Sequence, residues 1–519
     1  MSLPNLDDKK RRRLQWIAAI AVIILTGVIN IYSNAHAMDT DVFWHYVVGR
    51  DTLENGPINA DTYYTWQTDA GIWNQHEWLF DVFLYGVFHL LGVAGQIVLY
   101  GLATMGLIVL GWALSKPRNP FLYAVVAMIL QLCFCFVRCN RPITYSVYLL
   151  MIIAWIYKSK QSQIRKCIEI GLLTILLVNM HGGMIITELA ILFLLPVLSI
   201  LADLLNHEPI TKRRLLTWGS GFSCCIIALL CSAMCPDGIH MTWSAFQVGS
   251  VESTKYIQEW KPLSMSLIHG VLVGLIFLSF GYVLRRTTDN SDKKIWDKDI
   301  IENVGLCSAF LILSLHSMKA FAVAYTLFLL LGYRYIEQLI YDVTSEKVQN
   351  FFAHFYDVAI FVAGFTAAVI CYDAIPDLSN IGSMNEWVAS RTSMPIIEEL
   401  KRLESESEDP VRIGHGYCYG NYMIWNDIPC FVDSRQFMYD QDLTDGQNRS
   451  VNDLFDVEFS RNPDTVKEFL DTYDFDYIVT NKEFDINWYL MHDENWNIVM
   501  QDTISYEDTT ETFTLWKAN

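Results

Sequence analysis

About eleven apolar runs, each near the length of a bilayer-crossing helix, decide what this chain can fold into. They fall at 16–33, 94–115, 121–138, 143–158, 167–181, 184–204, 215–235, 265–284, 302–317, 319–338 and 351–373. A helix needs about 20 predominantly apolar residues to cross the hydrocarbon core, and in lipid every backbone amide must be satisfied within its own helix. A composition of 52% hydrophobic and only 18% charged residues, with a mean hydropathy of +0.25, agrees with a polytopic membrane protein and excludes an ordinary soluble enzyme.

Basic clusters then orient the runs. Lys9-Lys10-Arg11-Arg12-Arg13 precedes the first run, which is too long and too poorly terminated for a cleaved leader, so it reads as a retained span with its N-terminus in the cytoplasm. Lys116/Arg118, Lys158 to Lys166, Lys212 to Arg214, Arg285-Arg286 with Lys293-Lys294, and Arg334 with Lys347 all fall on alternate connections. These are the cytoplasmic ones by the positive-inside rule. The expected organisation is a basic cytoplasmic N-terminus at 1–15, a transmembrane domain at 16–374 with its first outer loop at 34–93, and an extracytoplasmic domain at 375–519.

The net charge of -19 belongs to that last segment, which holds 29 acidic and 10 basic residues after position 374, against 27 of each before it. An acidic tail argues against nucleic-acid binding. Its pattern alternates: a helix at Met394–Glu404, strands near Val411–Ile413, Cys430–Val432 and Tyr477–Val479, a helix at Val466–Tyr473, and a closing antiparallel pair, Trp496–Gln501 with Thr512–Lys517. This is a small α/β domain. Ten of the twelve cysteines lie in or beside apolar runs, the ordinary place for a small thiol. Cys418 and Cys430 lie in the tail, where spacing alone leaves open whether they pair.

Polar chemistry concentrates on the outer side. The first outer loop carries Asp39-Thr40-Asp41-Val42-Phe43-Trp44-His45, Gly49, Gly56-Pro57, Asp61, Trp73 and His76-Glu77-Trp78-Leu79, and the segment Leu79–Leu91 that follows is apolar but too short to span. An interfacial or re-entrant helix is expected there. With Arg141-Pro142, Asn179-Met180-His181-Gly182-Gly183, Glu259-Trp260, Gly420-Asn421-Tyr422-Met423-Ile424-Trp425 and Phe431-Val432-Asp433-Ser434-Arg435, the chain resembles a family of bacterial polytopic membrane proteins similar to GT-C type glycosyltransferases. The resemblance covers nearly the whole chain. It implies an α-helical polytopic membrane domain of about 11 transmembrane helices, sugar transfer from a polyprenyl-phosphate donor, and an acidic first-loop residue in catalysis. Asp41 holds the matching place. Ser434 departs from the glycine expected between Asp433 and Arg435, which bears on the geometry of that loop.

Physical chemistry gives these residues roles of the same kind. Transfer from a phosphate leaving group needs a carboxylate to take the acceptor's proton and positive charge for the departing phosphate. Asp41, Asp39, His76 and Glu77 are the catalytic candidates. The same four, completed by Asp61, make an oxygen and nitrogen set suited to a divalent cation such as Mg or Mn, although two aspartates one residue apart also cap helices in solvated turns. His45, Asp61, Arg138, Arg141, His181, Glu259, Trp260, His316, Lys319, Asp433 and Arg435 are the candidates for donor phosphate and substrate. Cations at outer helix ends equally snorkel or pin helices, and tryptophans such as Trp66, Trp73, Trp78 and Trp260 equally form an interfacial belt. Glu188, inside an apolar run, reads either as a functional carboxylate or as an interhelical hydrogen-bonding group. The expected function is a plasma-membrane glycosyltransferase acting on an extracytoplasmic glycan, lipid or protein. The alternative is a non-enzymatic transporter or scaffold for lipid-linked glycans, since fold alone does not fix function.

Overall fold

The computed structural model describes residues 8–36, 39–57, 64–71, 75–134, 140–249, 251–262, 266–289, 296–344, 355–380, 388, 391–506 and 509–519. Asp61, Trp73 and Arg138 lie outside them. The chain divides into two compact units: Met1–Ala37, Ile97–Thr242 and Gln258–Asp377 form the first, and Met38–Gln96, Trp243–Ile257 and Leu378–Asn519 form the second.

Helices run along the chain as α1 (Asp8–His36), α2 (Asp41–Asn55), α3 (Trp78–Ser115), α4 (Pro120–Phe134), α5 (Pro142–Lys158), α6 (Gln163–His181), α7 (Ile185–Leu205), α8 (Lys212–Gly221), α9 (Ser223–Cys231), α10 (Ile239–Val248), α11 (Leu267–Asp289), α12 (Lys298–His316), α13 (Phe321–Leu327), α14 (Tyr333–Val343) and α15 (Tyr356–Asn380). Among the described residues, eight helical runs are long and apolar enough to cross a membrane, and α4 and α5 are shorter apolar helices. The longest run, Gln163–Leu205, contains two of the expected segments, α6 and α7, joined by a 3-10 turn at Gly182–Met184.

Two interruptions have local causes. Gly92 sits at φ 66° in the middle of α3, a conformation that favours glycine, so the expected short segment after Trp78 is a separate helical arm that meets the next at a kink. Between α13 and α14 the chain makes a π-turn at Phe328–Gly332. This stretch lies in the core of the first unit, where Leu107, Tyr123, Leu150, Phe280, Phe310, Phe328 and Tyr333 pack together. Two buried polar side chains here find partners: Glu337 accepts from the amides of Arg118 (3.1 Å) and Asn119 (2.7 Å) at the start of α4, and Asn303 donates to Tyr335 (3.1 Å). Glu188 accepts from Thr174 at 2.6 Å, the interhelical reading of that residue.

The second unit contains α2, the first part of α3, the second part of α10 and the tail. The tail forms α16 (Met394–Glu406), β1 (Ile413–Gly414), α17 (Tyr419–Trp425), α18 (Ser450–Ser460), α19 (Pro463–Tyr473), β2 (Tyr477–Thr480), α20 (Asn487–Leu490), β3 (Trp496–Tyr506) and β4 (Thr509–Ala518). The sheet order is β1-β2-β4-β3, with β1 parallel to β2 and the other pairs antiparallel. The expected closing pair is therefore present and longer than its apolar core. The strand expected at Cys430–Val432 is not in the sheet. Cys430 instead bridges Thr65 of the first loop, its amide bonding Tyr64 O at 3.0 Å while the Trp66 amide bonds Cys430 O at 3.3 Å. Its backbone was satisfied by a segment more than 360 residues away, a partner that strand propensity does not register. Phe431 then packs among Trp66, Phe469, Tyr473 and Phe475 with ring centroids 4.7 to 5.7 Å away.

Candidate functional site

Asp41 opens α2, where exposed amides and the helix dipole favour a carboxylate. Its own amide donates to Asp39 Oδ1 at 3.1 Å, so Asp39 caps the turn. The Asp41 carboxylate accepts from Asn421 Nδ2 at 3.3 Å, and the same amide group donates to Thr40 Oγ1 at 3.2 Å. Asn421 reaches them because α17 packs closely: a Cβ at Gly420 would sit 1.9 Å from the Val432 carbonyl oxygen. Phe43, on the first turn of α2, packs on Tyr422 and Trp425 with ring centroids 5.3 and 5.9 Å away.

One turn further along α2, His45 is fully buried. Its Nδ1 lies 2.6 Å from Asp81 Oδ1, its Nε2 lies 4.0 Å from Glu77, and Glu77 in turn lies 3.5 Å from His76 Nε2. The crossing of α2 over α3 is tight, since a Cβ at Gly49 would meet the Asp81 carbonyl oxygen at 2.2 Å. His45 was placed among substrate contacts from sequence. In the structure it is buried and bridges α2 and α3 through Asp81.

The Asp433 to Arg435 loop is also sealed, with side-chain exposures of 0% and 1%. Asp433 accepts from Arg435 through its amide (2.8 Å), Nε (2.9 Å) and Nη2 (2.6 Å), and from the Tyr439 hydroxyl (2.9 Å). Burial pushes the Asp433 carboxyl up, but the Arg435 guanidinium overrides it and holds the group below its usual range. Arg435 also lies over the Tyr64 ring at 4.8 Å. The pair expected to contact substrate is thus sealed from solvent, and its mutual hydrogen bonds fix the shape of the loop. Cys418 and Cys430 are both free thiols. Cys430 Sγ faces Tyr64 O at 3.2 Å and Asp433 at 3.6 Å.

In the first unit, Glu259 lies in a 3-10 turn at Gln258–Trp260 and accepts from Lys319 Nζ at 3.0 Å and Arg141 Nη2 at 3.4 Å. Burial pushes its carboxyl up, yet the two cations win and hold it near about 2. Lys319 also lies 4.8 Å from the Trp260 ring centre. The turn is tied to the segment after α12 by Met318 N to Lys261 O at 3.1 Å. Arg141, Glu259, Trp260 and Lys319 are therefore brought together. Of the other cation candidates, His181 is buried with its Nδ1 3.2 Å from Ser146 Oγ, and His316 is exposed at the end of α12.

The metal set is not gathered. Among the described residues, no three His, Cys, Asp or Glu side chains are placed to hold an ion. Glu77 lies near His45 and His76, Asp39 accepts from the Asp41 amide, and Asp61, which completed the expected set, lies outside the described residues.

No family model and no curated protein sequence matches the chain. Solved structures do. The Archaeoglobus fulgidus oligosaccharyltransferase, tethered with an acceptor peptide containing the NVT sequon, matches with a TM-score of 0.52 over 92% of this chain and 69% of that one, at 11% identity. This is a GT-C-type fold. The same oligosaccharyltransferase in its apo form gives a TM-score of 0.49 at 11% identity, covering 92% of this chain and 70% of that one. At such identity the likeness is one of fold, and the GT-C-type fold leaves the roles of single residues to their own geometry.

Two residues that shape the site, Asn421 and Asp81, were given no role from sequence, and Ser434 was marked only as a departure from an expected glycine. Asp81 carried a signal, being an acid at the start of an apolar run. Asn421 carried none beyond its place in a motif.

Proposed function

We propose that this chain is a multi-pass plasma-membrane glycosyltransferase that moves a sugar or glycan from a polyprenyl-phosphate-linked donor to an extracytoplasmic acceptor. Asp41 is the base. The acceptor's oxygen or nitrogen attacks the anomeric carbon, its proton passes to the Asp41 carboxylate, and the bond from that carbon to the phosphate oxygen breaks with its electron pair leaving on the phosphate. Within the first unit, Arg141 and Lys319, aligned by Glu259 and with Trp260 beside them, present paired cationic donors suited to an anionic phosphate. Asp39 holds the turn that presents Asp41.

The observation that carries this reading is the placement of Asp41 on the first turn of a buried helix, held by Asn421. The GT-C-type fold supports it, and because the oligosaccharyltransferase structure holds an acceptor peptide, a peptide belongs among the first acceptors to try, beside glycans and lipids. In the same reading the eleven apolar segments all cross the bilayer, the N-terminus is cytoplasmic, and residues 375–519 are extracytoplasmic.

The test incubates purified protein in lipid with a panel of radiolabelled polyprenyl-phosphate sugars and cell-envelope extract, comparing wild type with Asp41→Asn. Transfer by wild type that falls by about 100-fold or more in the variant is expected for loss of a general base. Donor binding without turnover by wild type would move the assignment to a transporter or scaffold of lipid-linked glycans.

A further inference from the structure

We infer that Asn421 is the positioning residue for Asp41, and that Ser434 sets the direction in which Asn421 points. The inference rests on the reading of Asp41 as the base. Asn421 is fully buried, and its side-chain amide uses every hydrogen-bonding capacity it has. Oδ1 accepts from the Ser434 amide (3.4 Å) and the Ser434 hydroxyl (2.9 Å), while Nδ2 donates to Thr40 Oγ1 (3.2 Å) and Asp41 Oδ1 (3.3 Å).

The backbone N–H of Ser434 can only donate. It must therefore face an oxygen, which decides the flip of the Asn421 amide and turns the NH2 group toward Asp41. A carboxylate on an exposed helix turn would sample several rotamers, whereas one tied to a buried amide is held for a single approach. The serine that departs from the expected glycine now has a use, because only a side chain at 434 supplies the second donor. The Asp433 to Arg435 ion pair in turn fixes the loop that carries it.

The experiment measures steady-state transfer by full-length protein in lipid, using whichever sugar of the polyprenyl-phosphate panel wild type turns over, together with the thermal unfolding midpoint of each variant. Asn421→Asp keeps the size and the acceptor for Ser434 but presents an oxygen to the Asp41 carboxylate in place of the NH2 group. Its kcat, measured on the folded protein, is expected to fall about 10- to 100-fold with donor KM near wild type, while the buried like-charge pair lowers the unfolding midpoint. Ser434→Ala keeps the backbone donor and loses the hydroxyl, so its kcat should fall only about 2- to 5-fold. If Asn421→Asp does not fold, Ser434→Ala carries the test through kcat. A purely structural role would lower the unfolding midpoint and leave kcat of the folded protein unchanged, which would overturn the inference. Active wild type, inactive Asp41→Asn and fully active Asn421→Asp would remove the positioning role alone. Absence of transfer by wild type, or full transfer by Asp41→Asn, would instead remove the reading on which it rests.

Discussion

His45 and Asp81 meet at 2.6 Å, Nδ1 to Oδ1, with neither side chain exposed. A bond of this length between an imidazole N–H and a carboxylate ties α2 to α3 at the level where Gly49 lets the two backbones touch.

Removing one partner leaves the other polar and buried, which costs more than the pair contributes. Asp81→Ala is expected to destabilise the protein by roughly 3 to 5 kcal/mol, read as a lower unfolding midpoint in detergent. The double change His45→Phe with Asp81→Leu should recover part of the loss. An Asp81→Ala protein as stable as wild type would show that the pair does not hold the helices.

His415 makes the tail sensitive to acid. Its Nε2 accepts the Phe431 amide at 2.9 Å and its Nδ1 donates to Gly416 O at 2.9 Å, so the ring is neutral and has no room for a second proton. Burial pushes its pKa down to about 4, against an unfolded value near 6.5. Between those values the unfolded chain binds more protons than the folded one. Stability therefore falls as pH drops from about 6.5 to about 4, by up to about 1.4 kcal/mol per unit. Hydrogen exchange of the intact protein should show faster exchange across 413–433 in that window. Unchanged protection down to pH 4 would contradict this.

Arg141 and Lys319 share Glu259, so their contributions should not add. Each single change to alanine is expected to raise donor KM about 10- to 100-fold, with a smaller change in kcat. Glu259→Gln combined with Arg141→Ala should be little worse than Arg141→Ala alone, because the carboxylate acts by aligning the cations. Glu259 is held near about 2, so its own stabilising contribution is complete above its unfolded pKa of about 4.3 and is lost as pH falls from there toward 2. Fully additive losses would separate the three residues.

Gly420→Ala places a methyl group where the Val432 carbonyl oxygen lies. The helix must shift away from that segment, which carries Asn421 from Asp41. Transfer should fall about 10-fold or more while the protein stays folded at the expense of about 1 to 3 kcal/mol. Full activity in this variant would show that the close approach is not needed.

The apolar runs could be read directly because their signal is local: length and hydropathy need no partner. The tail helices at 394–406 and 463–473 and the closing pair of strands were legible for the same reason, each carrying its own period. Cys430 was not, since its hydrogen bonds are with Tyr64 and Trp66. The burial of Arg435 was not legible either, because a charged residue reads as exposed until its partner is known, and Asp433 lies two residues away with both sealed from water.

The sequence by itself determined a polytopic helical chain, an acidic α/β tail and the concentration of acids and cations in a few connections. These follow from composition and periodicity, which act over a turn of helix or a pair of strand residues. Only the tertiary structure decided which of those charges are available to chemistry. Arg141, Glu259 and Lys319 come from three separate connections, Asn421 reaches Asp41 across 380 residues, and His45, Asp433 and Arg435 are withdrawn from solvent. Burial and pairing are properties of groups brought together from distant positions, and desolvation then sets whether a charge is spent on the fold or offered to a substrate.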